Sequence, residues 1–387
     1  MDRKYEINDR RLKSEFTRVS FSGYKRIEVE NLLKKSILEL KLEQAQYWCA
    51  ELVCIGMFDK LWELFYLFVS NHINISNPRV MPYLQVKYDY YQTIRSTGYH
   101  DCEMSMRNNK NIRECFAEII CVLCYSPKMP ALSVLKLKPN ELTITNLQGR
   151  LKAESKKYIG LLLKEGDPDE LSLSMNELSY LCLSIGDGLE TPKMHDVLFW
   201  VHWILMYDEH CRKNKIPLRC ATRQAMERDL TQTHKEDVVW IIWDLIEIMN
   251  QTDYSSRRTE VVSKLITKTD VDRYTNVIHR VCQSILFFYK IKFTSSCKKK
   301  KLCLLYFVFQ LLFTPIDISI QLMTIEEKTA TEIIKGNINL IYGTLKANEL
   351  APKTDYLFDT MGDVSETSRK ETQRRLELLK TIGDINY

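Results

Sequence analysis

The sequence predicts an all-α fold, a multi-helix bundle in two halves, and three observations lead there. Gly (12) and Pro (10) are scarce in 387 residues, whereas all-β folds need both for their many tight turns. Hydrophobic residues make up 45% and charged residues 27%, a globular balance that argues against disorder over the whole chain. Apolar residues recur at helical spacing: Ile112, Cys115, Phe116, Ile119, Ile120 and Leu123 follow i, i+3, i+4, i+7, i+8 and i+11.

Residues 1–24 are polar and mixed in charge and read as an N-terminal arm. A helical domain is expected over 25–130. Ile27, Val29, Leu32, Leu33, Ile37 and Leu40 line its first amphipathic stretch. Leu42 to Ile55 forms the second, and Gly56 stands where a helix C′ residue would. Met57 to Val69 is the third. Asn77-Pro78 opens the next, since proline suits a first turn. The 112–123 helix closes at Ser126-Pro127.

Residues 131–190 change character and read as a mixed connecting segment. Leu135-Lys-Leu-Lys and Leu142-Thr-Ile-Thr alternate with period two across Pro139-Asn140, the pattern of a short β-hairpin. Gly166-Asp-Pro-Asp and Gly186-Asp-Gly188 read as loops.

A second helical domain is expected over 191–350. Thr191-Pro192 opens a helix to about Cys211. Val238, Ile241, Ile242, Leu245 and Met249 mark another, with Trp240 and Trp243 making it apolar on most sides. Asp270 is a candidate cap for the next, whose seam is Val271, Tyr274, Ile278, Val281, Ile285 and Phe288. Leu302 to Phe313 is apolar apart from Gln310. A spanning helix needs about 20 apolar residues, so this stretch reads as a core helix, with a membrane-touching segment as the alternative. A helix near 324–346 follows. Residues 351–387 form a polar C-terminal tail with an Asp363-x-x-Glu366 capping box for a last helix.

The charge of +5 permits an acidic partner without demanding one. Most of the 12 cysteines sit in apolar stretches, such as Trp48-Cys49-Ala50, Ile120-Cys121-Val122 and Val281-Cys282-Gln283, where they act as small hydrophobes. The start MDRKYEINDR has no apolar signal core. Both point to a reducing compartment.

No catalytic pattern emerges: the chain has no GxxxxGK[ST], GxGxxG or GxSxG. Cys121-Val-Leu-Cys124 is one CxxC, with His100 and Cys102 upstream, but a structural zinc needs four ligands. His195 and His202 are seven residues apart, roughly 10 Å along a helix, too far to share an ion. Adjacent pairs such as Asp208-Glu209 and Glu326-Glu327 read as solvated faces. No cofactor, metal or catalytic residue is assigned, and the chain is read as a binding protein rather than an enzyme.

The clearest functional feature is the basic cluster Lys290, Lys292, Lys298, Lys299, Lys300 and Lys301, six lysines without an acid in twelve residues. Such a cluster attracts phosphates of nucleic acid or lipid, or an acidic protein surface. A solvated loop is the plain alternative, and four consecutive lysines also match a nuclear-import pattern. Tyrosines clustered at Tyr83, Tyr88, Tyr90 and Tyr91, and Tyr342 and Tyr356 later, suit either an interface or helix packing.

Tyr47-Trp-Cys-Ala-Glu51-Leu-Val-Cys-Ile-Gly56, then Leu61-Trp62, then Ile75-Ser-Asn77-Pro78, resembles a conserved uncharacterised protein of nucleocytoplasmic large DNA viruses of the chlorovirus and mimivirus type. So do Asn111-Ile-Arg113-Glu-Cys-Phe116, Tyr125-Ser-Pro-Lys128 and Ala351-Pro-Lys-Thr-Asp355-Tyr-Leu-Phe358. The resemblance covers mainly residues 25–130 and carries no catalytic residues. It implies a virion protein made in the host cytoplasm: a minor capsid component that cross-links capsomers or bridges the capsid to the inner membrane. Its partners would be other capsid proteins, major and minor, with lipid phosphate as a further contact. The second reading is a nucleic-acid-associated factor of viral replication, transcription or packaging that uses the 290–301 lysines. On the virion reading the arm, the tail and the lysine cluster are the expected contact elements, held apart by the helical body.

Overall fold

The computed structural model describes residues 3–99, 102–133, 135, 137–184, 193–223, 230–251 and 268–350. Outside them lie His100, the Gly186–Gly188 loop, the Thr191-Pro192 helix opening and the whole tail with its Asp363/Glu366 box.

The fold is all-α, with no strand among the described residues. In chain order the helices are α1 (Arg26–Leu38), α2 (Leu42–Cys54), α3 (Phe58–Phe68), α4 (Val80–Gly98), α5 (Lys110–Tyr125), α6 (Ser172–Leu183) and α7 (Met194–Lys213). The one-turn α8 (Gln232–Lys235), α9 (Val239–Asn250), α10 (Lys268–Lys290), α11 (Leu302–Phe313) and α12 (Ile325–Lys346) follow. Local signals set several ends. Gly56 has φ +69°; its N–H donates to the Val53 carbonyl and the Met57 N–H to that of Leu52, both at 3.0 Å. That Schellman pair satisfies the carbonyls α2 would otherwise leave open. At α5 the Asn109 side chain accepts the Ile112 N–H at 3.2 Å. At α12 the Glu327 N–H donates to Thr324 Oγ1 at 3.2 Å while the Thr324 N–H donates to the Glu327 carboxylate at 2.7 Å, a reciprocal capping box. Asp270 lies within the first turn of α10, not ahead of it.

Two halves are not two cores. The buried apolar residues form one contiguous cluster from Ile7 to Leu345. α12, the last helix of the expected 191–350 domain, packs on α5 and α2 of the 25–130 segment, and α10 packs on α4. α11 packs against α7, α10 and the turns at 69–76. Its residues are buried all round, Cys303 being half-buried, and no helix of the described residues is long and apolar enough to cross a membrane.

Among its described residues the connecting segment holds no hairpin. Residues Pro139–Leu142 and Ile144–Arg150 form 3-10 turns. Of the alternating residues Leu142 is buried and Leu135 and Leu137 are half-buried, and Leu147 further on is buried as well. With no second strand to pair with, the backbone finds other acceptors and donors: the Lys138 N–H donates to the Glu141 side chain at 2.7 Å, and the Glu141 carbonyl accepts the Trp203 indole N–H of α7 at 2.8 Å.

The N-terminal arm is part of the body. Ile7, Phe16 and Phe21 are buried. The Ile7 N–H donates to Asn108 Oδ1 and the Asn108 amide back to the Ile7 carbonyl, each at 2.9 Å. The arm also meets the end of α12. The Asn8 N–H donates to the Glu349 carboxylate and the Leu350 N–H to the Asp9 carboxylate, both at 2.9 Å, and the Lys346 ammonium donates to the Glu6 carbonyl at 2.7 Å. Three well-separated apolar residues in a polar stretch give no periodic signal, yet each fills a hole in the body.

Candidate functional site around the lysine-rich segment

α10 ends at Lys290, and the chain turns through Lys292 (φ +48°) and a 3-10 turn at Ser295–Cys297 before α11 begins at Leu302. Phe293 is buried and anchors this loop against Trp240, its ring centre 4.7 Å from the indole. The six lysines therefore do not share one environment, and the expected surface cluster is corrected at two positions. Lys298 is 3% exposed and Lys301 2%.

Lys298 donates to the carboxylates of Asp208 on α7 and, at 2.7 Å, Asp237 just ahead of α9. Arg212 adds a 2.6 Å ion pair to Asp208, and Ser295 Oγ donates to Asp237. Asp208 was expected on a solvated face and is 2% exposed. Its pKa is raised by burial, which outweighs the nearby Lys298. Burial acts the same way on Asp237, but there the Lys298 charge, with hydrogen bonds from Lys298, Ser295 and the Val239 N–H, wins and holds the carboxyl below its ordinary value. The group is a closed ionic knot joining α7, α9 and the lysine loop.

Lys301 plays a different part. Its ammonium donates to the carbonyls of Phe288, Tyr289 and Ile291 at 3.2, 2.8 and 2.6 Å. It thereby caps the end of α10, where the helix dipole favours a cation. No carboxylate lies at ion-pair distance among the described residues, and burial pushes its pKa down to about 8. Lys292 pairs with Asp59 and Lys300 with Glu63 at 2.6 Å, both bridges to α3. Lys290 is half-buried at the last turn of α10. Lys299 is exposed and makes no ion pair among the described residues.

Beside the knot opens a cleft of about 1010 Å³ between α7, the lysine loop, the start of α11 and the chain at 135–137. Leu135, Leu137, Leu205, Met206 and Leu302 give it an aliphatic lining, while Arg212, Lys213, Lys298 and Lys299 contribute cations and Glu209 one acid. His202 also lines it. That ring is 7% exposed, its Nδ1 has no hydrogen-bond partner, and burial together with the Lys299 charge lowers its pKa. Sequence reasoning missed Asp208, Asp237 and His202 as site residues. The nearest signal was His202 and Asp208 lying six positions apart on one apolar helix, which does not reveal what faces them.

The other candidate chemistry is dispersed. Cys121 and Cys124 are buried in α5, their thiols pushed up to about 11 and about 12 by desolvation, and the Gln46 amide approaches Cys121 Sγ at 3.5 Å. His195 is exposed beside Asp196, and the His210 ring is hydrogen-bonded to Asn214 at 2.9 Å. Among the described residues no three His, Cys, Asp or Glu side chains are grouped to hold a metal. Of the tyrosines, Tyr91 and Tyr342 are buried, Tyr83 and Tyr88 half-buried and Tyr90 exposed, so most of that cluster packs helices together.

No family model matches the chain, and neither curated proteins nor solved structures give a match.

Proposed function

We propose that the chain is a structural virion protein of a large DNA virus, a minor capsid component made in the host cytoplasm. It would join other capsid proteins, major and minor, or bridge the shell to the inner membrane. The resemblance of residues 25–130 to a protein of such viruses supports the class. One structural observation favours it over the nucleic-acid factor: four of the six lysines in the most basic stretch are either buried or paired with an acid of the body. Lys298 and Lys301 are buried, and Lys292 and Lys300 pair with Asp59 and Glu63. Phosphate-backbone binders need many free cations on one face, and this loop offers Lys299 with few others. A body tied together by buried ion pairs and one continuous core suits a rigid spacer, which recognises neighbours by the shape of its faces. The reading is of binding rather than catalysis.

Quantitative mass spectrometry of purified virions tests this. Hundreds of copies per particle, with cross-links to capsid proteins, are expected. A few copies confined to the genome-bearing core would instead fit the nucleic-acid factor and defeat the capsid assignment.

A further inference from the structure

The ionic knot leaves the neighbouring cleft with a charge pattern that goes beyond an assembly role. Of the four cations at the cleft, Lys298 is matched by Asp208 and Asp237, Arg212 by Asp208, and Lys213 by Glu209 at 2.7 Å. Lys299 is the one with no carboxylate at ion-pair distance among the described residues. On the same cleft, the Nδ1 of His202 is buried and unpartnered, and a buried polar atom without a hydrogen bond is destabilising. Lys299, His202 and Glu209 all line this cleft, so the free cation and the unfilled imidazole face the same space.

The remaining wall is four leucines and a methionine with Ser295 and Ser296 beside them, and no aromatic ring other than His202 is among the lining residues. Flexible aliphatic side chains, Met206 above all, adapt to a chain that is itself flexible. A cleft of about 1010 Å³ is at the upper end of the roughly 300–1,000 Å³ usual for small-molecule sites. We infer that this cleft binds a single-chain aliphatic carboxylate, a fatty acid, with its carboxylate at Lys299 and His202 and its chain along Leu135, Leu137, Leu205, Met206 and Leu302. One unmatched positive charge calls for a monoanionic head, and the aliphatic wall calls for an alkyl body, each buried methylene adding to the affinity. In this complex the carboxylate accepts from the Lys299 ammonium and from His202 in the tautomer that carries its proton on Nδ1.

A dansyl-labelled undecanoate titrated into the full chain tests the site, with unlabelled dodecanoate, dodecyl phosphate and dodecanol as competitors. Saturable one-to-one binding is expected, displaced by dodecanoate in preference to the other two. Lys299→Glu should weaken it roughly tenfold or more, because a close like charge replaces an opposite one. His202→Phe should weaken it severalfold without lowering the melting temperature, since it removes the unpartnered nitrogen and keeps the volume. Met206→Trp should block the chain; if that variant melts early, Met206→Asp, on a half-buried position, replaces it. Absence of saturable binding, or parent-like binding in Lys299→Glu and the Met206 variant, would overturn the site. Equal competition by dodecanol would overturn the head-group assignment, and stronger competition by dodecyl phosphate would overturn the carboxylate. None of these failures touches the virion reading, which the particle composition tests separately.

Discussion

The guanidinium of Arg113 on α5 lies 3.7 Å from the centre of the Tyr342 ring on α12. The same side chain donates to the Arg107 carbonyl at 2.7 Å, to Asn339 and Asn108 Oδ1 at 2.9 Å and to the Tyr5 carbonyl at 3.1 Å. One residue thus ties the arm, the centre of the first half and the last helix of the second. A planar fork of five donors can do this, and a lysine cannot.

Arg113→Met should therefore strand several buried acceptors. We expect a loss of about 3 kcal/mol or more, read as a lower urea midpoint, and rapid tryptic cleavage at Lys4, Arg10, Arg11 and Lys13 as the arm lifts. Arg113→Lys should fall between the two. A midpoint within error of the parent would remove Arg113 as the tie.

Two adjacent lysines should behave in opposite ways. Lys298→Met leaves two buried carboxylates with Arg212 as their remaining ion-pair partner and should cost about 3–5 kcal/mol. Lys299→Met changes an exposed side chain and should stay within about 0.5 kcal/mol. Equal effects in thermal melts would contradict the buried knot.

Lys301 supplies an alkaline signature. Its folded pKa of about 8 lies below the ordinary lysine value, so between those values the unfolded chain binds more protons. Stability attributable to Lys301 should rise with pH across that window. Buried tyrosines and cysteines titrate upward in the same range and act oppositely, so the readout is a difference. The stability of the parent minus that of Lys301→Met should increase from pH 8 to 10.5. A flat difference would mean the ammonium is not desolvated.

Acid should unfold the protein through carboxylates held low. Burial raises Asp167, but the hydrogen bonds and charge of Arg223 and two backbone N–H groups win and keep it below its ordinary value; Arg223 grips it at 2.6 and 2.7 Å. Asp9 and Asp237 are likewise lowered. Their stabilisation is present above the unfolded value of about 4 and is lost as pH falls through the lower folded values. Asp167→Asn should be less stable at pH 7 by about 3–5 kcal/mol and show a shallower loss below pH 4, measured by urea melts at each pH.

Much of the helical framework was legible because local chemistry wrote it. The 302–313 apolar run and the Gly56 stop specify ends within a few residues, and the helix expected near 324–346 runs from Ile325 to Lys346. What failed was long-range. Lys298 looks like its neighbours in sequence, and the acids that bury it stand 90 and 61 positions away. Asp208 looked solvated beside Glu209, yet adjacent helical residues point to different sides, and only tertiary packing decides which side is wet. The arm lacked periodicity because its apolar residues serve the body's surface holes, not a face of their own. At 135–145 the alternation was real, but a hairpin needs a pairing that the α7 indole and the Glu141 turn supplanted.

The hydrogen bonds from Asn8 to Glu349 and from Leu350 to Asp9 each span 341 positions. During synthesis at about 5–20 residues per second, the opening segment waits roughly 17–70 s for those acceptors and donors to exist. Until then Arg113 has neither Asn339 nor Tyr342. The seam can therefore close only after synthesis has passed Leu350. A heterologous tag fused ahead of residue 3 would therefore act on the rate at which the newly made chain matures more than on the stability of the finished body.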